Sequence, residues 1–103
     1  MNKRKIGVLV SGRGSNLQAI MDRIADGSLQ LEIAVVISDK ADALALKRAE
    51  DAGIPTVVVA RKECASKEEF EDKIHAALIA AGCELVVLAG FMRLLSGNFV
   101  NRW

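Results

Sequence analysis

The feature that most constrains this chain is a regular alternation of four short aliphatic runs with three longer segments of helical periodicity. Such alternation is typical of a parallel β-sheet whose strands are joined by crossover helices. The runs predict strands at residues 5–10, 32–38, 56–60 and 84–89. Because residues 85–89 are apolar at every position, we expect the fourth strand to be covered on both faces.

Right-handed crossovers leave few ways to arrange these strands, and they favour the α/β class with a doubly wound, Rossmann-like parallel sheet. The expected strand order is 3-2-1-4. In that order the carboxyl ends of the first and fourth strands lie side by side, and ligands of such folds bind in the crevice beyond them.

Each helical segment has a recognisable boundary. The first is predicted to end near Gly27, and the second spans about residues 42–52 with Gly53 as its C-terminal cap. The third begins with a capping box, in which Ser66 is the N-cap and Glu69 follows three residues later. The apolar face of the first helix comprises Leu17, Ile20, Met21 and Ile24. That of the third comprises Phe70, Ile74, Ala77, Leu78 and Ala81.

The composition is that of one small globular domain, which we assign to residues 1–103. Hydrophobic residues make up 51% and charged residues 26%, a balance that supports a single core. A net charge of +1 and 4% aromatic residues argue against nucleic acid as a partner. No apolar run is long enough for a membrane span, and Cys64 and Cys83 have neither metal-ligand spacing nor the density of a disulfide scaffold. We therefore expect a cytoplasmic protein with reduced thiols, no metal site and no membrane partner.

A glycine-rich segment follows the first strand, at residues 11–16, with the sequence SGRGSN. Gly12 and Gly14 permit positive φ and close approach of a ligand to the backbone. Ser15 and Asn16 would open the next helix, where unpaired N–H groups and the positive end of the helix dipole attract anions. The pattern therefore favours a bound phosphate. The alternative is a tight turn in which Ser15 or Asn16 is only an N-cap.

Two better-known phosphate loops do not fit this segment. A P-loop requires a lysine that is missing here. The dinucleotide fingerprint requires a third glycine where the chain has Leu17, although Asp39 lies roughly where a ribose-binding acid is expected. A single phosphate therefore fits the loop better than a pyrophosphate.

Three segments of the chain form recognisable motifs, VLVSGRGSNLQAI at residues 8–20, ISDKADA at 37–43 and VVLAGFMRLLS at 86–96. Together they resemble the N-terminal half of the phosphoribosylglycinamide formyltransferases. The resemblance runs over essentially the whole chain, and three motifs at matching intervals are more specific than any one of them. It implies the transfer of a formyl group from 10-formyltetrahydrofolate, as co-substrate, to glycinamide ribonucleotide in purine biosynthesis.

The resemblance also implies roles for particular residues. Gly14, Ser15 and Asn16 would hold the 5′-phosphate of the ribonucleotide, in agreement with the loop pattern. Lys67 matches a position that usually carries a folate-contacting arginine, so it keeps the positive charge but lacks the planar guanidinium. The alternative is that Lys67 is an ordinary exposed lysine that contacts no ligand. The pterin end of the folate would be bordered by Met92, Arg93, Leu94 and Leu95. Without the resemblance, Met92, Leu94 and Leu95 would be interpreted as ordinary core residues or as part of a short helix after the strand.

The resemblance places no catalytic residue in this chain. The family's catalytic asparagine, histidine and aspartate would lie past Trp103, and His75 falls in the middle of the third predicted helix. We therefore expect a truncated, substrate-binding half that is inactive alone. Its fourth strand would have an uncovered edge beside Phe91, Leu94, Leu95, Phe99 and Trp103, which self-association could cover.

Two other functions remain open at this point. One is a non-catalytic phosphate- or nucleotide-binding α/β module. The other is a different folate-dependent formyltransferase or hydrolase that shares this half-domain. The Gly-Ser-Asn segment after the first strand favours glycinamide ribonucleotide as the substrate over the substrates of those other enzymes.

Overall fold

A computed structural model of the chain describes residues 4–91. Strands and helices alternate in the predicted order. The elements are β1 (Arg4–Val10), α1 (Ser15–Ala25), β2 (Leu31–Ser38), α2 (Leu44–Asp51), β3 (Thr56–Val58), a 3-10 turn (Arg61–Glu63), α3 (Lys67–Ala80) and β4 (Leu85–Leu88). β3 ends two residues earlier than predicted and α2 begins two residues later.

The four strands form one parallel sheet in the order β3-β2-β1-β4, which confirms the predicted topology. β1 is central and pairs with β2 along its whole length, with a shift of register between Ile6 and Gly7. β4 pairs with β1 from Leu85 opposite Ile6 to Leu88 opposite Leu9. All four carboxyl ends therefore meet at the same edge of the sheet.

Helices cover both faces of the sheet, and each face has its own core. α1 and α2 pack on one face, where Val8 and Leu17 are fully buried. α3 packs on the other face through Phe70, Ile74 and Leu78. These three residues repeat at the predicted helical spacing, so the apolar face of α3 is confirmed.

The prediction that β4 is covered on both faces holds only in part: Val87 packs against the core under α1 and α2 and Val86 against the core under α3, but the strand is not deeply buried. Leu85 is 38% exposed and Leu88 is 55% exposed. Within residues 4–91, β4 pairs with β1 alone, so it forms an edge of the sheet. An apolar run indicates a strand, but it does not by itself place that strand in the middle of a sheet.

The start of α3 confirms half of the predicted capping box. The Oγ atom of Ser66 accepts a hydrogen bond from the Glu69 N–H at 3.1 Å. The Glu69 carboxylate reaches back one residue further than in a standard box and accepts from the Ala65 N–H at 2.7 Å. Both contacts satisfy backbone donors at the helix entrance.

Two features are absent from the described residues. No helix within residues 4–91 is long and apolar enough to cross a membrane. No group of three or more His, Cys, Asp or Glu residues in that range is placed to hold a metal ion.

Candidate functional site

The candidate site lies at the carboxyl end of β1, where the chain turns through residues 11–14 into α1. The end of β4 lies next to it. A Cβ atom added at Gly90 would be 3.7 Å from the Asn16 side-chain nitrogen. The two glycine-containing strand ends are therefore neighbours, as the predicted strand order requires.

Gly14, and not Ser15 or Asn16, is the N-cap of α1. It has φ 83° and ψ 20°, in the left-handed region, and no side chain caps the helix. Ser15 and Asn16 are the first two residues of the helix, and both are exposed. The alternative interpretation is therefore wrong in naming Ser15 or Asn16 as the N-cap, whereas the left-handed Gly14 agrees with its tight turn.

The N-terminus of α1 is well suited to an anion. The first hydrogen bond into the helix runs from the Gln18 N–H to the Gly14 carbonyl at 2.8 Å, so the N–H groups before Gln18 have no acceptor in the helix. The first turn contains no acidic residue, although acidic residues are favoured there. The partial positive charge of this 11-residue helix is thus not neutralised by its own first turn.

The two glycines of the loop have different environments. Only Gly14 has a positive φ, and a Cβ atom there would lie 2.6 Å from Cα of Ala45 in α2. A Cβ atom at Gly12 would meet no described atom within 4 Å. Gly12 does not adopt the positive φ that a glycine permits, but it lies beside open space, as close approach of a ligand requires.

A cavity that the sequence analysis did not predict lies at the same edge of the sheet, between the ends of β2 and β3. Its volume is about 450 Å³. Asp39, only 5% exposed, lines it at the end of β2, and the 3-10 turn lines it after β3. The other lining residues are Lys40, Ala41, Asp42, Val58 and Ala60. The only signal in the sequence is the group of charged residues after each of these strands.

Lys67 is the first residue of α3 and is exposed. One turn later, Phe70 stacks on Phe91, with ring centroids 6.5 Å apart and ring planes within 5° of parallel. The chain after β4 therefore runs beside the first turn of α3. The predicted residues Met92, Arg93, Leu94 and Leu95 follow directly in the sequence and lie outside the described residues.

The remaining reactive side chains are not at the glycine loop. His75 is half-buried in the middle of α3. Cys64 is buried, and Cys83 is half-buried just before β4; both are free thiols, as predicted. Burial raises the pKa of the Cys83 thiol, and the nearby Lys5 charge partly opposes this effect.

A family model described as formyl transferase matches residues 4–103. Among curated relatives, the phosphoribosylglycinamide formyltransferase of Haemophilus influenzae is 44% identical, over 97% of this chain and 47% of the relative. The trifunctional purine biosynthetic protein adenosine-3 of Homo sapiens is 45% identical, over 98% of this chain and 10% of the relative. The chain therefore spans about half of the first relative and a small part of the second.

Solved structures give the same result. The phosphoribosylglycinamide formyltransferase of Coxiella burnetii, in complex with CHES, superimposes with a TM-score of 0.93 at 44% identity, over 98% of this chain and 47% of that one. Glycinamide ribonucleotide transformylase 1 of Symbiobacterium toebii superimposes with a TM-score of 0.93 at 41% identity, over 99% of this chain and 48% of that one.

Proposed function

The chain belongs to the formyl transferase family, and from this premise we propose that it is the ribonucleotide-binding part of a phosphoribosylglycinamide formyltransferase. The reaction transfers a formyl group from 10-formyltetrahydrofolate to glycinamide ribonucleotide. Gly14, Ser15 and Asn16 bind the 5′-phosphate of the ribonucleotide through backbone N–H groups, the Ser15 hydroxyl and the start of α1.

The observation that carries this proposal is the uncapped N-terminus of α1 beside the open space at Gly12. A phosphate dianion there would accept hydrogen bonds from donors that are already in place. Hydrogen bonds to a charged group contribute about 1.5–3 kcal/mol each. The exposed Arg13 side chain adds a positive charge to the rim of the same loop.

For the folate, we propose a site beside the first turn of α3. It is formed by Lys67 together with Met92, Arg93, Leu94 and Leu95. The stacking of Phe91 on Phe70 supports this grouping, because Phe70 lies one turn from Lys67 and Phe91 directly precedes Met92. The lysine ammonium would attract a carboxylate of the folate as a point charge, without the bidentate geometry of arginine.

We further propose that residues 1–103 bind these substrates without catalysing the transfer. The reaction needs a group that moves a proton between the amine and the folate nitrogen. His75 lies in the middle of α3, and Arg93 remains charged at any relevant pH. An assay of formyl transfer with this chain should show no turnover, and substantial turnover would refute this part of the proposal.

The binding test is calorimetric titration with glycinamide ribonucleotide. Ser15→Ala should weaken binding about tenfold, because it removes one hydroxyl donor to a charged group. Gly12→Val should weaken it further by filling the open space. Ser28→Ala, the same substitution beyond the other end of α1, serves as the control and should change affinity less than about twofold. Unchanged affinity in both loop variants would contradict the proposed site.

The same titrations separate the alternatives. Equal affinity for ribose 5-phosphate and glycinamide ribonucleotide would favour a general phosphate- or nucleotide-binding module. A chain that binds 10-formyltetrahydrofolate but neither glycinamide ribonucleotide nor ribose 5-phosphate would favour another folate-dependent formyltransferase or hydrolase.

We also propose that the chain self-associates through the β4 edge and acts in the cytoplasm. The exposure of Leu88, 55%, supports the first point, and the free thiols Cys64 and Cys83 support the second. Light scattering should report a dimer that Leu88→Lys dissociates. A monomer in the unaltered chain would contradict self-association.

A further inference from the structure

Arg48, in the last turn of α2, makes the closest polar contact between that helix and the glycine loop. Its Nε atom donates a hydrogen bond to the Arg13 carbonyl at 2.8 Å. Its aliphatic stem lies against Gly14, where an added Cβ atom would be 3.0 Å from Cδ of Arg48. The side chain therefore contacts the loop at two successive residues.

Two further hydrogen bonds, one from Arg48 and one from its partner Gln18, hold the Arg48 side chain in place. Its Nη1 atom donates to the Gln18 side-chain oxygen at 3.3 Å. Gln18 in turn donates to the Asp22 carboxylate at 3.0 Å. Arg48 thus joins α2 to the loop and to the first two turns of α1 at the same time. A planar guanidinium can make both contacts from one rotamer, whereas a lysine ammonium cannot.

These contacts determine which way the loop amides point. In a trans peptide unit the C=O and the following N–H point in opposite directions. The Gly12 carbonyl accepts from the Ala45 N–H of α2 at 3.1 Å, and the Arg13 carbonyl accepts from Arg48. Both carbonyls therefore face α2, so the N–H groups of Arg13 and Gly14 face the opposite side. Two successive N–H groups on one side of a turn are the donors that anion-binding concavities of the backbone use.

We propose that Arg48 is a positioning residue for the phosphate site. It holds the Arg13–Gly14 peptide so that the Gly14 N–H points at the phosphate, and it acts from the far side of the loop without touching the ligand. This inference rests on the proposed function. It adds a residue on α2 to a site otherwise built from β1 and α1.

The test compares Arg48→Met, Arg48→Lys and Lys47→Met with the unaltered chain. Lys47 is the exposed neighbour of Arg48 on α2, so Lys47→Met removes the same charge as Arg48→Met without removing a loop contact. Affinity for ribose 5-phosphate is measured at a temperature at which circular dichroism shows every variant folded. Under that condition a merely structural role would leave the affinity unchanged.

We expect Arg48→Met to weaken ribose 5-phosphate binding about tenfold. Lys47→Met should weaken it less than about twofold. Arg48→Lys should fall between the two, because it keeps one donor for the Arg13 carbonyl. Equal affinities in Arg48→Met and the unaltered chain would overturn the inference. Equal losses in Arg48→Met and Lys47→Met would also overturn it, since the effect would then be one of charge alone.

NMR relaxation of the ligand-free chain separates this inference from the proposed function. The Gly14 and Ser15 amides should have order parameters of about 0.85 in the unaltered chain and below about 0.6 in Arg48→Met. If the unaltered chain binds neither glycinamide ribonucleotide nor ribose 5-phosphate, the proposed function is wrong, and the order parameters still test Arg48. Equal order parameters in the two chains would refute its positioning role.

Discussion

Replacing Gly14 with alanine should destabilise the fold as well as the candidate site. Gly14 has φ 83°, which L-residues other than glycine adopt at a cost of about 1–2 kcal/mol. The new Cβ atom would also lie 2.6 Å from Cα and 2.7 Å from Cβ of Ala45. These atoms belong to the buried residue Ala45 of α2 and are not the end of a flexible side chain, so α1 and α2 must move apart.

The expected loss can be divided into two contributions. Overpacking of a buried contact costs about 1–3 kcal/mol, and the left-handed backbone adds about 1–2 kcal/mol. Gly14→Ala should therefore lower the free energy of unfolding by about 2–5 kcal/mol. A domain of this size has about 5–15 kcal/mol in total, so the loss would be a large share of its stability.

Gly27→Ala is the matched control. Gly27 has φ 86°, and a Cβ atom there would meet no described atom within 4 Å. It should lose only the backbone contribution of about 1–2 kcal/mol. Urea unfolding followed by circular dichroism measures both variants, with an unchanged m-value as the sign that only stability has changed. If Gly14→Ala costs no more than Gly27→Ala, the loop is not packed against α2 as described, and the positioning argument for Arg48 fails with it.

Three other expectations can be checked by the same unfolding measurements. Gly7→Ala should cost about 1–3 kcal/mol because its Cβ would overlap Cδ2 of the buried Leu78, and combining it with Leu78→Ala should cost less than the sum of the two. Ser66→Ala should cost about 1 kcal/mol, since it removes the hydroxyl that caps α3. Burial raises the pKa of Cys83 above its ordinary value of 9.0. The unfolded chain therefore releases that proton first, so the free energy of unfolding should fall as the pH rises above 9.0; the fall should be smaller in Cys83→Ala.

The topology could be predicted because it depends on patterns within the sequence. Aliphatic runs and helical periods gave the order of the elements, and right-handed crossovers then allowed few sheets. The ends of the elements were less predictable. Val59 continues the aliphatic run of β3, and its N–H still donates to the Ser38 carbonyl at 2.9 Å, yet β3 ends at Val58. α2 begins after Ala43 with no side-chain cap, so no residue type marks its start.

The candidate site was predictable in position but not in detail. Glycines after a strand and polar residues opening a helix are local signals, and they identified the loop at residues 11–16. The packing of Ala45 on Gly14 and the hydrogen bond from Arg48 to Arg13 join residues about thirty positions apart. Such contacts depend on how α2 packs against α1, which no local pattern specifies. The importance of Arg48 could therefore be seen only in the folded chain.

The glycine that best indicates a ligand is the one that the fold itself does not require. At Gly14, the positive φ and the contact with Ala45 are sufficient reasons for glycine, so its presence says little about phosphate. Gly12 has neither a positive φ nor a described atom within 4 Å of an added Cβ. Gly12→Ala should therefore keep the stability or raise it by up to about 1 kcal/mol, since it restricts the unfolded chain. If the same variant also binds ribonucleotide less tightly, the position is kept open for a ligand; a loss of stability would show that the fold itself requires glycine there.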